Sequence, residues 1–232
     1  MDTHIKAVIF DIDDTLFDRR SAQKLVFESF KDKYAELFES VDSHILQTAF
    51  FEADRLSTEY FFVSGKSISL RQERYRLFLS MLELDNSYAA EMSNYYISLY
   101  GKINTPVDGA VEILKSLHAN YKLGVISNGI TKTQYNKLEQ LGIKEFFDSI
   151  MISEEAGMQK PDLPIFWESA KALSCRPEEC LYIGNSYNGD IVGSAEAGMK
   201  SCWYNPSKAR PVEMVVTPDY EIASLSELND IL

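Results

Sequence analysis

Lys6-Ala-Val-Ile-Phe-Asp-Ile-Asp-Asp-Thr-Leu16 is the stretch from which the rest of the chain can be read. Ala7-Val-Ile-Phe10 is short, apolar and partly β-branched, the composition of a strand buried on both faces of a parallel sheet. It runs straight into three carboxylates, Asp11, Asp13 and Asp14. Such a cluster beyond a buried strand costs electrostatic free energy unless a cation or hydrogen bonds offset it. The carboxyl ends of strands in open α/β sheets are also where ligands bind. A solvated turn with an acidic helix start at Thr15 would explain each residue singly. The two-residue spacing of Asp11 and Asp13, followed by a threonine, favours a site.

The 232 residues suffice for one large domain or two modest ones, and an apolar content of 45% supports a real core. The net charge of -12 repels nucleic acid and anionic lipid, so neither is an expected partner. An anionic substrate would have to be attracted by locally placed Lys, Arg or backbone N–H groups. Cys175, Cys180 and Cys202 form no C-x-x-C pair, and His4, His44 and His118 are scattered far from them. Reduced thiols are therefore expected, with no Cys/His metal site. No secretory-type segment and no apolar stretch of membrane-spanning length is present. A soluble cytoplasmic protein is expected, monomeric or dimeric.

After the acidic loop the period changes. Leu25, Phe27, Phe30, Tyr34, Leu37 and Phe38 recur at helical spacing within 21–38. A second helix, capped by Asp42 or Ser43, runs to Gly65, a third from about Ser69 to Leu82, and a fourth from about Ser87 to Tyr100. Residues 18–103 thus read as four amphipathic helices inserted after the first strand. From Asp108 helices and strands alternate: Val111–Leu117, strand Lys122–Ser127, Thr131–Leu141, strand Ser149–Ile152, Pro164–Leu173, strand Cys180–Ile183, Asp190–Ala197 and strand Lys200–Tyr204. This is the pattern of an α/β fold, a parallel sheet with helices on both faces, formed by residues 1–17 and 104–232.

Four polar clusters fall at the ends of these elements. The first is Asp11-Ile-Asp13-Asp-Thr15. The second, Ser127-Asn128-Gly129, joins a strand to a helix, where a hydroxyl and N–H groups cradle oxyanions, though the same tripeptide is ordinary turn chemistry. The third is Lys160-Pro161-Asp162, and the fourth Gly184-Asn-Ser-Tyr-Asn-Gly-Asp190. Each alone is compatible with a surface turn; their order and placement are not.

The ordered set resembles the haloacid dehalogenase superfamily of hydrolases, in the branch with a helical cap inserted after the first strand. The resemblance spans essentially the whole chain. D-x-D-x-T matches at Asp11, Asp13 and Thr15, the hydroxyl signature at Ser127, the lysine signature at Lys160, and the last acidic signature from Gly184 to Asp190. It implies a doubly wound, Rossmann-like core and a four-helix cap. It also implies a magnesium-dependent phosphatase acting on a small phosphorylated metabolite through an aspartyl-phosphate on Asp11. Asp13 would be the general acid and base, with its pKa raised by neighbouring acids. Ser127 and Asn128 would hold phosphate oxygens together with Thr15 and Gly129. Lys160 would offset negative charge on Asp11 and the phosphoryl group, and Asp11, Asp13, Asn185 and Asp190 would serve magnesium.

Asp14, where many relatives carry glycine, resembles the nucleotidase and acylneuraminate-phosphatase branch. Nucleoside monophosphates and sugar phosphates are thus the expected substrates. Arg71 and Arg74, three apart on the third helix, are candidates for the leaving group, as is stacking on Phe17 or Tyr60. A dehalogenase needs no acid at Asp13, and a phosphomutase needs a dedicated cap base. A binding protein without turnover rests only on Asn185, which stands where the family usually has an acid. An Asn carbonyl still coordinates a hard cation but supplies no charge. Asn185→Asp is therefore expected to lower the magnesium concentration required for half-maximal turnover, measured by titrating the metal. An unchanged requirement would contradict a role for Asn185 at the metal.

Overall fold

The computed structural model describes residues 4–64 and 70–232, with backbone only at 58–64 and 70–71. Gly65, Ser69 and the side chains of Tyr60 and Arg71 therefore lie outside the described residues. The chain divides into two compact units, one of Met1–Arg19 with Asn104–Leu232, the other Arg20–Ile103.

In chain order, β1 (Ala7–Phe10) is followed by α1 (Arg19–Lys33), α2 (Ser43–Ser64), α3 (Leu70–Met81) and α4 (Ala89–Tyr100). Then come α5 (Ala110–Leu117), β2 (Lys122–Ser127), α6 (Thr131–Gln140), β3 (Ser149–Ile152), α7 (Ser153–Ala156) and α8 (Leu163–Ala172). The chain closes with β4 (Cys180–Gly184), α9 (Gly193–Glu196), β5 (Lys200–Tyr204) and β6 (Tyr220–Ile222).

The strands form a parallel six-stranded sheet in the order β3-β2-β1-β4-β5-β6, with helices on both faces. β1 is central, and all four of its side chains are fully buried, which explains its unbroken apolar run. In register, Phe10 sits beside Val125 on one side and Ile183 on the other. The loops leaving β1, β2 and β4 consequently emerge side by side. Connections run in opposite directions from β1, so its carboxyl end is the switch point of the sheet, the place where such folds bind ligands.

The second unit has an aromatic interior. Phe30 stacks on Tyr75 at 5.3 Å and meets Phe50 edge-on at 5.5 Å, while Phe50 meets Phe78 at 5.5 Å. Offset and edge contacts of this kind add specificity to the area they bury. Charge is buried there too. Arg74 pairs with Asp54 at 2.8 Å, donates to Ser57 Oγ at 3.0 Å and lies 5.1 Å from the Tyr96 ring. Gln23 donates to the same Asp54 carboxylate at 3.2 Å. Arg74 is thus committed inside its own unit rather than presented to a leaving group, because a buried guanidinium requires a counter-charge.

Three elements differ from expectation. α1 stops at Lys33, but the N–H groups of Tyr34 and Phe38 still reach back four residues to Phe30 and Tyr34, so the apolar spacing keeps its burial without a regular helix. The helix expected over Asp190–Ala197 begins instead with a wide π-type turn, Tyr187–Val192, in which the Asp190 and Ile191 N–H groups both donate to the Ser186 carbonyl. β6 has only three residues, too few to show a period. All three cysteines are free thiols. Among the described residues no helix is long and apolar enough to cross a membrane.

Below the sheet, Glu179 ties the entry of β4 to that of β1. It accepts from Lys6 Nζ at 2.6 Å and from the Arg176 N–H at 2.9 Å. The Lys6 bond first, then the Arg176 backbone and guanidinium, hold its carboxyl down from 4.5 to about 2. A depressed acid stabilises the fold above its ordinary value, and that stabilisation is lost as pH falls from 4.5 towards 2. Thermal unfolding across this interval should show a steeper fall for the wild type than for Glu179→Gln. Parallel curves would contradict the assignment.

Candidate active site

Past β1 the backbone stays anchored: the Asp11 N–H donates to the Ile183 carbonyl at 2.9 Å, and the Leu16 and Phe17 N–H groups both return to the Ile12 carbonyl. This tight turn puts Asp14 at φ +59°, a left-handed conformation that glycine, Asn and Asp adopt most readily. Its Oδ1 accepts from the Arg19 N–H at 3.1 Å and so caps α1. Asp14 is a structural part of the loop. Phe17 is fully buried, with Lys137 Nζ 5.2 Å from its ring centre, so it is not available to stack on a substrate.

Lys160 holds the site together. Its ammonium donates to Asp11 Oδ1 at 2.6 Å, Asp190 Oδ1 at 2.6 Å and Tyr182 Oη at 2.9 Å. Those are the three hydrogens an ammonium has, so none is left for a ligand, and Lys160 can act on one only through its field. Asn128 fixes the Lys160 backbone on both sides, Nδ2 donating to its carbonyl and Oδ1 accepting from its N–H, each at 2.9 Å. The Lys160-Pro161 bond is cis. Asp190 reaches this position because Gly184 has no side chain; a Cβ there would stand 2.4 Å from the Asp190 carboxyl. Its second oxygen accepts from the Ser186 N–H at 2.8 Å.

Two buried carboxylates thus share one ammonium. Burial, most strongly, pushes the Asp11 carboxyl up to about 7; Lys160 pulls against this, and Asp190 and Asp13 add to it. Burial pulls Lys160 down, and Asp11 and Asp190 more than reverse it. No hydrogen bond engages Asp11 Oδ2 among the described residues, leaving this oxygen open.

Asp13 behaves oppositely to expectation. Burial pushes its carboxyl up, but Lys137 and Arg19, with hydrogen bonds from Lys137 and Gln134, outweigh this and hold it below the ordinary value. Lys137 Nζ lies 2.5 Å from Oδ1, and Gln134 Nε2 donates to Oδ2 at 2.9 Å and to Ser127 Oγ at 2.7 Å. The expectation that neighbouring acids raise Asp13 failed because α6 sets the Lys137 ammonium in direct contact with it, and Arg19 adds a second positive charge. Gln134 and Lys137 were not singled out in the sequence. The signal was present: Gln134, Leu138 and Leu141 fall at i, i+4 and i+7, so Gln134 is a polar residue on a buried apolar stripe.

The sheet therefore brings Asp11, Asp13, Ser127, Asn128, Lys160 and Asp190 together. Thr15 is buried, its Oγ1 3.5 Å from Asn185 Oδ1, and the Asn185 carbonyl accepts from Trp203 Nε1 at 3.0 Å. The Gly129 N–H is taken by Ser153 Oγ at 2.9 Å and does not face an open cradle.

Among the described residues, no cluster of three or more His, Cys, Asp or Glu is arranged to hold a metal by itself. A hard cation nevertheless fits the donor set. Asp11 Oδ2 is open, Asn185 offers an amide oxygen beside Thr15, and both the burial that raises Asp11 and the repulsion that Asp190 and Asp13 add to it are what a divalent ion would offset.

A family model described as haloacid dehalogenase-like hydrolase matches residues 8–204. A glyceraldehyde 3-phosphate phosphatase of Methanothermobacter thermautotrophicus is 34% identical over 205 residues, 87% of this chain and 86% of that protein. The pyrimidine 5'-nucleotidase YjjG of Escherichia coli is 32% identical over 227 residues, 97% of this chain and 96% of its own length. The magnesium-bound structure of the HAD-hydrolase YfnB from Bacillus subtilis superposes with a TM-score of 0.83 at 26% identity, covering 99% of both chains.

The raised Asp11 carboxyl has a cost in stability. The folded chain keeps its proton where the unfolded chain has lost it, so stability falls as pH rises from 3.8 to about 7. In a chelating buffer, Asp11→Asn should gain melting temperature relative to the wild type across that interval. A difference that does not change with pH would contradict the assignment.

Proposed function

The chain belongs to the haloacid dehalogenase-like hydrolases, and on that footing we propose that it is a magnesium-dependent phosphomonoester hydrolase. The carrying observation is Asp11, a carboxylate at the carboxyl end of the central strand. One of its oxygens is fixed by Lys160 and the other is open.

In the first step the open Asp11 oxygen attacks phosphorus; the new P–O bond forms as the ester P–O bond breaks, leaving an aspartyl-phosphate. Asp13 delivers a proton to the departing oxygen. In the second step Asp13 takes a proton from water, whose oxygen attacks phosphorus and restores Asp11. The Lys137–Gln134 clamp holds Asp13 ionised before substrate arrives, the form required of a base. An incoming dianion raises its pKa and so favours the protonated acid. Lys160 keeps Asp11 aimed and offsets charge developing on the transferred group. Asp11, Asp13, Asn185 and Asp190 would hold magnesium. When bound, the ion would offset the repulsion between two anions and stabilise charge on the phosphoryl oxygens.

We read the helical unit, residues 18–103, as a cap that governs access and contributes to substrate choice. The relatives named above act on a triose phosphate and on pyrimidine nucleotides. Small phosphate monoesters of these two classes, sugar phosphates and nucleoside monophosphates, are accordingly the proposed substrates.

Release of phosphate from an aryl phosphate should require magnesium in the wild type and fall at least about a thousandfold in Asp11→Asn, since the nucleophile is lost. Turnover surviving in Asp11→Asn would overturn the mechanism. Folded wild type without turnover at any magnesium concentration would favour the binding-protein reading.

A further inference from the structure

We propose that Gln134 is a positioning residue that turns Ser127 into a directed hydrogen-bond donor for the transferred phosphoryl group; this inference rests on the phosphatase reading. Gln134 is 2% exposed, and its Nε2 lies 2.7 Å from Ser127 Oγ, 2.9 Å from Asp13 Oδ2 and 3.3 Å from the Asn128 carbonyl. An ionised carboxylate and a carbonyl only accept, so the amide must face them with its nitrogen. Turning it over would set its oxygen against both. The orientation is therefore fixed by chemistry, and it leaves Gln134 Oε1 buried without a partner.

The consequence falls on Ser127. A hydroxyl has one proton to give and can accept as well. Ser127 Oγ receives its hydrogen from Gln134, and among the described residues nothing takes the proton Ser127 carries. That proton is left for a bound oxyanion. Gln134 thereby lowers the entropy of a rotor that would otherwise choose between inward and outward acceptors, and through its second hydrogen it holds Asp13. Gly129 completes the device. A Cβ at Gly129 would lie 2.9 Å from Gln134 Nε2, and its φ of +155° further disfavours a side chain. The glycine following Ser127-Asn128 makes room for the amide.

The test is inhibition by inorganic phosphate, with aryl phosphate as substrate, in the wild type, Gln134→Met, Ser127→Ala and the double variant. Methionine keeps the bulk and removes the donor. Gln134→Met should weaken phosphate inhibition by about tenfold, as expected for a hydrogen bond to a charged group. In the Ser127→Ala background the same change should have an effect within about twofold, because the residue it acts through is gone. Circular dichroism checks folding. Should Gln134→Met not fold, Gln134→Asn, whose shorter amide cannot span the distance, carries the same expectation. Wild-type affinity for phosphate in the Gln134 variants, or an equal loss in both Ser127 backgrounds, overturns the inference while leaving the phosphatase reading intact. A wild type that neither hydrolyses aryl phosphate nor binds phosphate overturns both.

Discussion

One buried ammonium facing two buried carboxylates is the constraint on which the rest of the structure depends. Lys160 must reach Asp11 and Asp190 at the same time, and three separate strand ends deliver the groups that allow it. β1 brings Asp11, and β4, with the glycine at its end, admits Asp190. Asn128, just beyond β2, fixes the lysine backbone. The parallel register leaves these ends adjacent, so the sheet order and the site are one fact seen at two scales. One positive charge does not neutralise two negative ones. Burial raises Asp11, with Asp190 and Asp13 adding to it against the pull of Lys160, which costs the metal-free fold stability and keeps the position receptive to a cation.

A second balance sits across the same pocket. Asp13 belongs to the same acidic loop as Asp11, yet its carboxyl moves the other way because α6 places Lys137 and Gln134 against it. Two carboxylates two residues apart are driven to opposite titration by their surroundings. On the proposed reading, that separation divides the nucleophile's role from that of the general acid and base.

The sequence made the sheet legible because buried parallel strands are nearly pure apolar runs and their polar ends stand out: Ala7–Phe10, Lys122–Ser127 and Cys180–Gly184 each stop at a cluster of chemistry. It was less informative wherever the tertiary partner decides. Arg74 reads as a surface cation on its helix, and only the packing of α2 against α3 reveals Asp54 beneath it. Lys137 reads as an ordinary helix charge until the Asp13 loop folds onto it. Asp14 looked like a mark of substrate class, whereas the backbone angle it adopts gives it a local reason to be there. The π-type turn at Tyr187–Val192 arises because Ser186 gathers two N–H groups and also donates to Asp190, a geometry no period announces.

The central claim is that Asp11 itself receives the phosphoryl group. Mixing enzyme, magnesium and an aryl phosphate, quenching in acid within one turnover and mapping the peptides by mass would test it directly. The account predicts the added mass of one phosphoryl group on the peptide containing Asp11, labile to hydroxylamine as an acyl phosphate is. Turnover with no trapped adduct on that peptide, or with the adduct on another residue, would contradict it.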